Sequence, residues 1–147
     1  MTSGGPRFMA PVAVHLFLTR DRSILLLRRA NTGYEDGNYS VPAGHLDGGE
    51  SVTAAAIREA HEEVGIELVP AQLRQVLVMH RRAGSERIDF FLEAHGWKGN
   101  PRNCEPEKCD ELKWVALDDL PPNVISYVRR AIEAHAAGET YVEFGWD

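Results

Sequence analysis

The residues best suited to chemistry stand together between Gly44 and Ile66, where Glu59, Glu62 and Glu63 crowd a stretch that also holds Glu50 and Arg58. On a helix turning about 100° per residue, the acids at 59, 62 and 63 fall within roughly one 100° arc. Carboxylates three and four residues apart repel by roughly a few tenths of a kcal/mol per exposed pair, so the helix gains nothing structural from them. A divalent cation removes the conflict: Mg²⁺ takes hard oxygen ligands, keeps several waters, and is held by carboxylates together with the phosphates of a substrate. Taken alone, the same acids read as a solvated face with Arg58 as a helix pair. The apolar stripe Ala56, Ile57, Ala60 and Val64 is centred roughly 120° from the acids, which therefore flank the buried face.

Nine positions around these acids obey one spacing: Gly44, five residues, Glu50, seven residues, Arg58-Glu59-Ala60, any residue, Glu62-Glu63, any residue, Gly65-Ile66. For seven fixed identities, each at a frequency of about one in ten or less, a chance match in a chain this long is on the order of one in a million. The segment resembles the Nudix box, and the chain is identified on it as similar to the Nudix (MutT-like) hydrolases. That resemblance implies a loop-helix-loop that holds Mg²⁺ or Mn²⁺ and cleaves a diphosphate bond by attack of water. It makes Glu59, Glu62 and Glu63 the metal-binding carboxylates, the Ala43 carbonyl a further oxygen ligand, and Glu50 with Arg58 a supporting pair. The general base is Glu59 or an acid outside the box, for which Glu107, Asp110 and Glu111 are candidates. His61-Glu62 begins like a zinc-protease motif, but Gly65 stands where the second histidine must be.

Substrate choice must come from elsewhere in the chain. Arg28 and Arg29 end one strand-forming run, and His80, Arg81 and Arg82 end another; guanidinium groups there reach phosphate or a base edge. Tyr39 or Phe90-Phe91 offers a ring for stacking, with core or rim packing as the alternative, and His15 reads as a core histidine. Arg28, Tyr39, His80 and Glu111 are the expected substrate contacts. Within the resembled family, a proline about sixteen residues past the box marks action on ADP-ribose, and a tyrosine near there marks dinucleoside polyphosphates. This chain has Arg81, Arg82 and Ala83 instead. The expected activity is therefore pyrophosphate release from a (deoxy)nucleoside triphosphate. The alternatives are a nucleoside diphosphate derivative (ADP-ribose, nucleotide sugar, dinucleotide or capped RNA) and a non-catalytic nucleotide sensor.

These groups need a scaffold, and 147 residues with 44% apolar content suffice for one domain. Residues 1–10 read as a flexible tail and 11–147 as a single domain. Strands are expected at Val12–Thr19 and Ile24–Arg29 around a tight turn, then at Tyr39–Val41, which Pro42 should end. A helix runs from Ser51 to about Val64 with Gly65 as its left-handed cap. Leu73–Arg81 and Arg87–Gly96 bracket a loop at 83–86, Glu111–Leu117 is a strand, Asn123 caps a helix reaching Gly138, and Tyr141–Trp146 adds an edge strand. The class is α/β: a three-layer α/β/α sandwich with a mixed central sheet.

Sixteen basic against twenty-two acidic residues give a net charge of −6, which argues against binding duplex nucleic acid. A small nucleotide must be met locally through the metal. Cys104 and Cys109 make no disulfide framework, and no apolar run has the length of a membrane span, so the expectation is a cytoplasmic protein, with a homodimer through the aromatic C-terminal edge.

Overall fold

Among residues 4–147, which the computed structural model describes, the elements run β1 (Val12–Arg20), β2 (Ser23–Arg29), β3 (Tyr39–Ser40), β4 (Ala43–His45), α1 (Val52–Val64), β5 (Leu73–Ala83), β6 (Ser85–Ala94), β7 (Cys109–Ala116), α2 (Ser126–Ala136) and β8 (Tyr141–Phe144). Of the expected tail, residues 1–3 lie outside the described residues; from Gly4 to Ala10 the chain has no regular structure, and Phe8 and Met9 are exposed.

Asp21 and Arg22 both take positive φ, 53° and 63°, the primed turn whose twist suits a two-residue hairpin. β1 and β2 pair only beside that turn, at Thr19↔Ile24 and Arg20↔Ser23, and then part. Beyond the split β1 joins β6 in parallel and β4 antiparallel, while β2 joins β3 and β7. β5 continues from β6, and β8 lies parallel to β5 at the edge. The mixed sheet is therefore continuous at one end and cleft at the other.

Each helix seals one face. Val14, Leu16 and Leu18 of β1, with Leu92 and Ala94 of β6, pack against Ala55, Ala56, Ala60 and Val64 of α1. Phe17, Met79 and Phe91 on the opposite face pack under Val128, Ala131 and Ile132 of α2. Two apolar layers around one sheet give the expected α/β/α sandwich. No helix among the described residues is long and apolar enough to cross a membrane.

Three local expectations are corrected. The expected strand ends at Ser40, before Val41 and Pro42, and a separate strand, Ala43–His45, then pairs with β1 instead of β2, with the Pro42 carbonyl accepting from the Leu16 amide at 2.8 Å. The loop at 83–86 tightens to Gly84 at φ 76°, with Ala83 opposite Ser85. Asn123 does not cap α2, which begins at Ser126; its side chain donates to the Gly37 carbonyl at 2.9 Å and ties two loops together.

Candidate active site

Helix α1 presents its acids reproducibly because both its ends are fixed. Ser51 Oγ accepts from the Ala54 amide at 3.0 Å, and Gly65, at φ 70°, returns its N–H to the His61 carbonyl. A Cβ at Gly65 would also fall 2.6 Å from Arg102, because the connection after β6 crosses there. That connection is stitched to the helix end: Arg102 N–H donates to the Val64 carbonyl and Cys104 N–H to the Glu63 carbonyl.

Glu59 is 9% exposed and lies against Gly44, where a Cβ would fall 1.9 Å from Oε2, so only glycine allows this approach. Arg58 organises the acids around it. Its Nη1 donates to Glu59 at 2.8 Å and to Glu62 at 3.2 Å, while Nε and Nη2 donate to the two Glu50 oxygens at 3.1 and 2.7 Å. These bonds raise the Arg58 pKa and hold the Glu50 carboxyl below its usual value. One cation is thus shared among three acids.

Glu63 is left without a share in it. Burial, then the hydrogen bond and charge of Glu59, then the charge of Glu105, push its carboxyl well above the ordinary range. The Ala43 amide donates to Glu63 Oε1 at 3.4 Å, so the backbone at 43 reaches the cluster through its N–H. The carboxylate oxygens are the hard donors a divalent cation takes, but among the described residues no three acidic, histidine or cysteine side chains converge into a formed metal cage as they stand.

The acids open into a cavity of about 670 Å³ between the diverging ends of β1 and β2, and Glu59, Glu62 and Glu63 all line it. Glu50 and Arg58 stand behind them. Of the other expected contacts, none lines this cavity. Arg28 Nε donates to Asp110 at 2.7 Å, the Tyr39 hydroxyl donates to Glu111, and His80 Nε2 lies 3.1 Å from Glu86 with its ring 4.6 Å from Trp146. Their strand neighbours line it instead: Arg29 beside Arg28 and Arg81 beside His80. So do His15, Tyr34, Arg87, Glu105, Lys108 and Tyr127, of which only His15 was weighed from sequence.

The apolar runs explain the misplaced parity. Ile24-Leu25-Leu26-Leu27 and Val76-Leu77-Val78-Met79 are apolar on both faces, so alternation could not tell which of two adjacent polar residues points inward. A bulge between Gln75 and Leu77 shifts β5 further. For Glu105 and Lys108 no local signal existed, since their place depends on the connection crossing the end of α1.

Comparison with known proteins identifies the family and the fold. A family model described as the NUDIX domain matches residues 9–135. The chain is 32% identical over 127 residues to the NAD-capped RNA hydrolase NudC of Stutzerimonas stutzeri, covering 83% of this chain and 43% of that relative. It is 32% identical over 130 residues to an isopentenyl-diphosphate Delta-isomerase of Ruegeria pomeroyi, covering 80% and 69%. The solved MutT NUDIX hydrolase from Burkholderia pseudomallei matches with a TM-score of 0.78 at 32% identity, over 86% of this chain and 98% of that one. This chain thus spans less than half the length of the NudC relative.

Proposed function

The chain belongs to the Nudix family of pyrophosphohydrolases, and on that premise we propose that it hydrolyses the diphosphate bond of a nucleotide with Mg²⁺ or Mn²⁺ held by Glu59, Glu62 and Glu63. The observation that carries this reading is the carboxylate cluster itself: Glu59 buried and pressed on Gly44, half-buried Glu63 and exposed Glu62 facing the same cavity, and a single arginine between the acids. When bound, the cation would neutralise charge building on the phosphoryl oxygens and lower the pKa of a water. The chain's own residues do the remaining work. Arg58 is a positioning residue: fixed by Glu50, it sets the carboxylates of Glu59 and Glu62. Glu59 is the base we favour, because it is oriented from two sides. Of the acids outside the box, Glu105 lines the cavity whereas Glu107, Asp110 and Glu111 do not, so Glu105 is the alternative base.

The substrate we propose is a (deoxy)nucleoside triphosphate, released as monophosphate and pyrophosphate. A cavity of about 670 Å³ lies within the range that holds small ligands. The NudC relative favours a second reading, a dinucleotide joined through a diphosphate, free or at an RNA end. Product analysis on a panel of nucleoside triphosphates, oxidised triphosphates, ADP-ribose, nucleotide sugars and NADH separates the two. A triphosphate preference supports the first, turnover confined to diphosphate-linked compounds replaces it with the second, and binding without turnover leaves a nucleotide sensor.

A further inference from the structure

The sheet face under α2 changes character along its length. Phe17, Met79 and Phe91 give way, toward the β5–β6 turn, to His15, Arg81 and Asp89, with Arg87 beyond. Arg81 and Arg87 are direct partners across the hairpin, and both line the cavity. Like charges directly opposite one another on a sheet are destabilising, and on this face of the hairpin the one buried carboxylate is Asp89.

That carboxylate is taken. Asp89, fully buried, accepts from Arg81 Nε at 2.7 Å and Nη2 at 3.4 Å, and the Arg81 guanidinium carbon sits 3.6 Å from the centre of the Tyr127 ring. Arg81 is thereby locked, with its Nη1 edge free of any protein partner among the described residues. Arg87 is paired with no carboxylate among them; its buried Nε has no hydrogen-bond partner, and its Nη2 reaches only Ser85 Oγ at 3.4 Å. Arg29 and Lys108 add positive charge to the same walls.

We infer that the Arg81–Arg87 pair is a second anion subsite of the cavity, holding a phosphoryl group of the substrate other than the one that reacts beside Glu59, Glu62 and Glu63. The inference rests on the hydrolytic reading of those carboxylates. A neutral base edge would satisfy the Arg81 fork but leave the Arg87 charge uncompensated, whereas a phosphate answers both arginines. Its source is either another phosphate of the same polyphosphate chain or a separate phosphomonoester on the far part of the substrate.

Isothermal titration of inorganic tripolyphosphate in the presence of chelator reads this subsite alone, because the metal-free carboxylates repel anions. Wild type is expected to bind; Arg87→Gln should weaken binding by about tenfold or more, and Arg87→Lys by less, since it keeps the charge. Arg130→Gln, whose side chain pairs with Glu139 on the surface, should bind as wild type does. Removing Arg87 relieves repulsion, so the melting temperature of Arg87→Gln in chelator should not fall. No binding by wild type, equal binding by Arg87→Gln, or a marked loss of its melting temperature overturns the subsite.

With Mg²⁺ present, KM in Arg87→Gln distinguishes the sources. A rise of about tenfold for a nucleoside triphosphate, with kcat held, identifies a phosphate of the chain; a rise for NADPH but not NADH identifies a phosphomonoester. KM values unchanged on all three overturn the assignment. Tripolyphosphate binding without metal-dependent turnover would keep the subsite and reject the hydrolase reading, and turnover without that binding would do the reverse.

Discussion

At the scale of single residues, the contact of Glu59 with Gly44 is the most exacting feature. A methyl at position 44 would overlap the carboxylate at 1.9 Å, so Gly44→Ala should displace Glu59 without disturbing the buried layers. The expected outcome is a loss of kcat/KM of about 10- to 100-fold, as for groups that orient metal ligands, with an unchanged circular dichroism spectrum. Glu63 makes a prediction of opposite signs for stability and activity. Its folded pKa lies above the unfolded one, so it adds no penalty in acid and destabilises the metal-free fold as pH rises past the ordinary carboxylate value. Glu63→Gln should therefore melt higher than wild type in chelator at neutral pH, flatten that pH dependence, and abolish turnover. A lower melting temperature would contradict the placement of Glu63 as a half-buried acid with no arginine of its own. Glu50, Arg58, Glu59, Glu62 and Glu63 could be picked out in the sequence because they share the spacing of the Nudix box, which is what implies their roles. The choice of Arg29 over Arg28, and Arg87 altogether, could not, because which way a side chain points is a property of the strand.

At the scale of elements, strand parity decides function. β1 carries Phe17 and His15 on one face and Val14 and Leu16 on the other, so a single-residue slip would exchange the cavity wall for core. His15 is buried and stacked on Phe91 with Nε2 3.1 Å from the Tyr127 hydroxyl, and burial lowers its pKa from 6.5 to about 4. The unfolded chain takes up the proton first, so stability should fall between pH 6.5 and 4, by up to about 3 kcal/mol, as the shift requires. Urea titrations of wild type and His15→Asn across that range check it; parallel curves would contradict the burial. In the same layer, Arg81→Gln leaves Asp89 buried and unpaired and should cost about 3–5 kcal/mol, recovered in part by Asp89→Asn. The order of elements was legible from apolar periodicity and turn residues. Asn123 was misread as a cap because Asn serves equally to bridge loops, and the strand Ala43–His45 after Pro42 was missed because the sequence does not show that the chain would pair again on β1.

At the scale of the whole molecule, a chain of net charge −6 separates its charges across one cavity, acids on α1 against arginines on β2, β5 and β6. The split between β1 and β2 opens the cavity that both sets line, and neither strand announces it alone. A cation that binds only the folded state should stabilise it by about 2.7 kcal/mol at a hundred times its dissociation constant, raising the melting temperature by several degrees. The most direct test of the central claim is the release of phosphate or pyrophosphate from the preferred nucleotide, measured with Mg²⁺, with chelator, and in Glu62→Gln. The carboxylate stripe predicts turnover that vanishes in chelator and falls in the variant by more than the roughly 10- to 100-fold typical of groups behind metal ligands. Turnover that survives chelator, or that Glu62→Gln retains in full under saturating Mg²⁺, would contradict it.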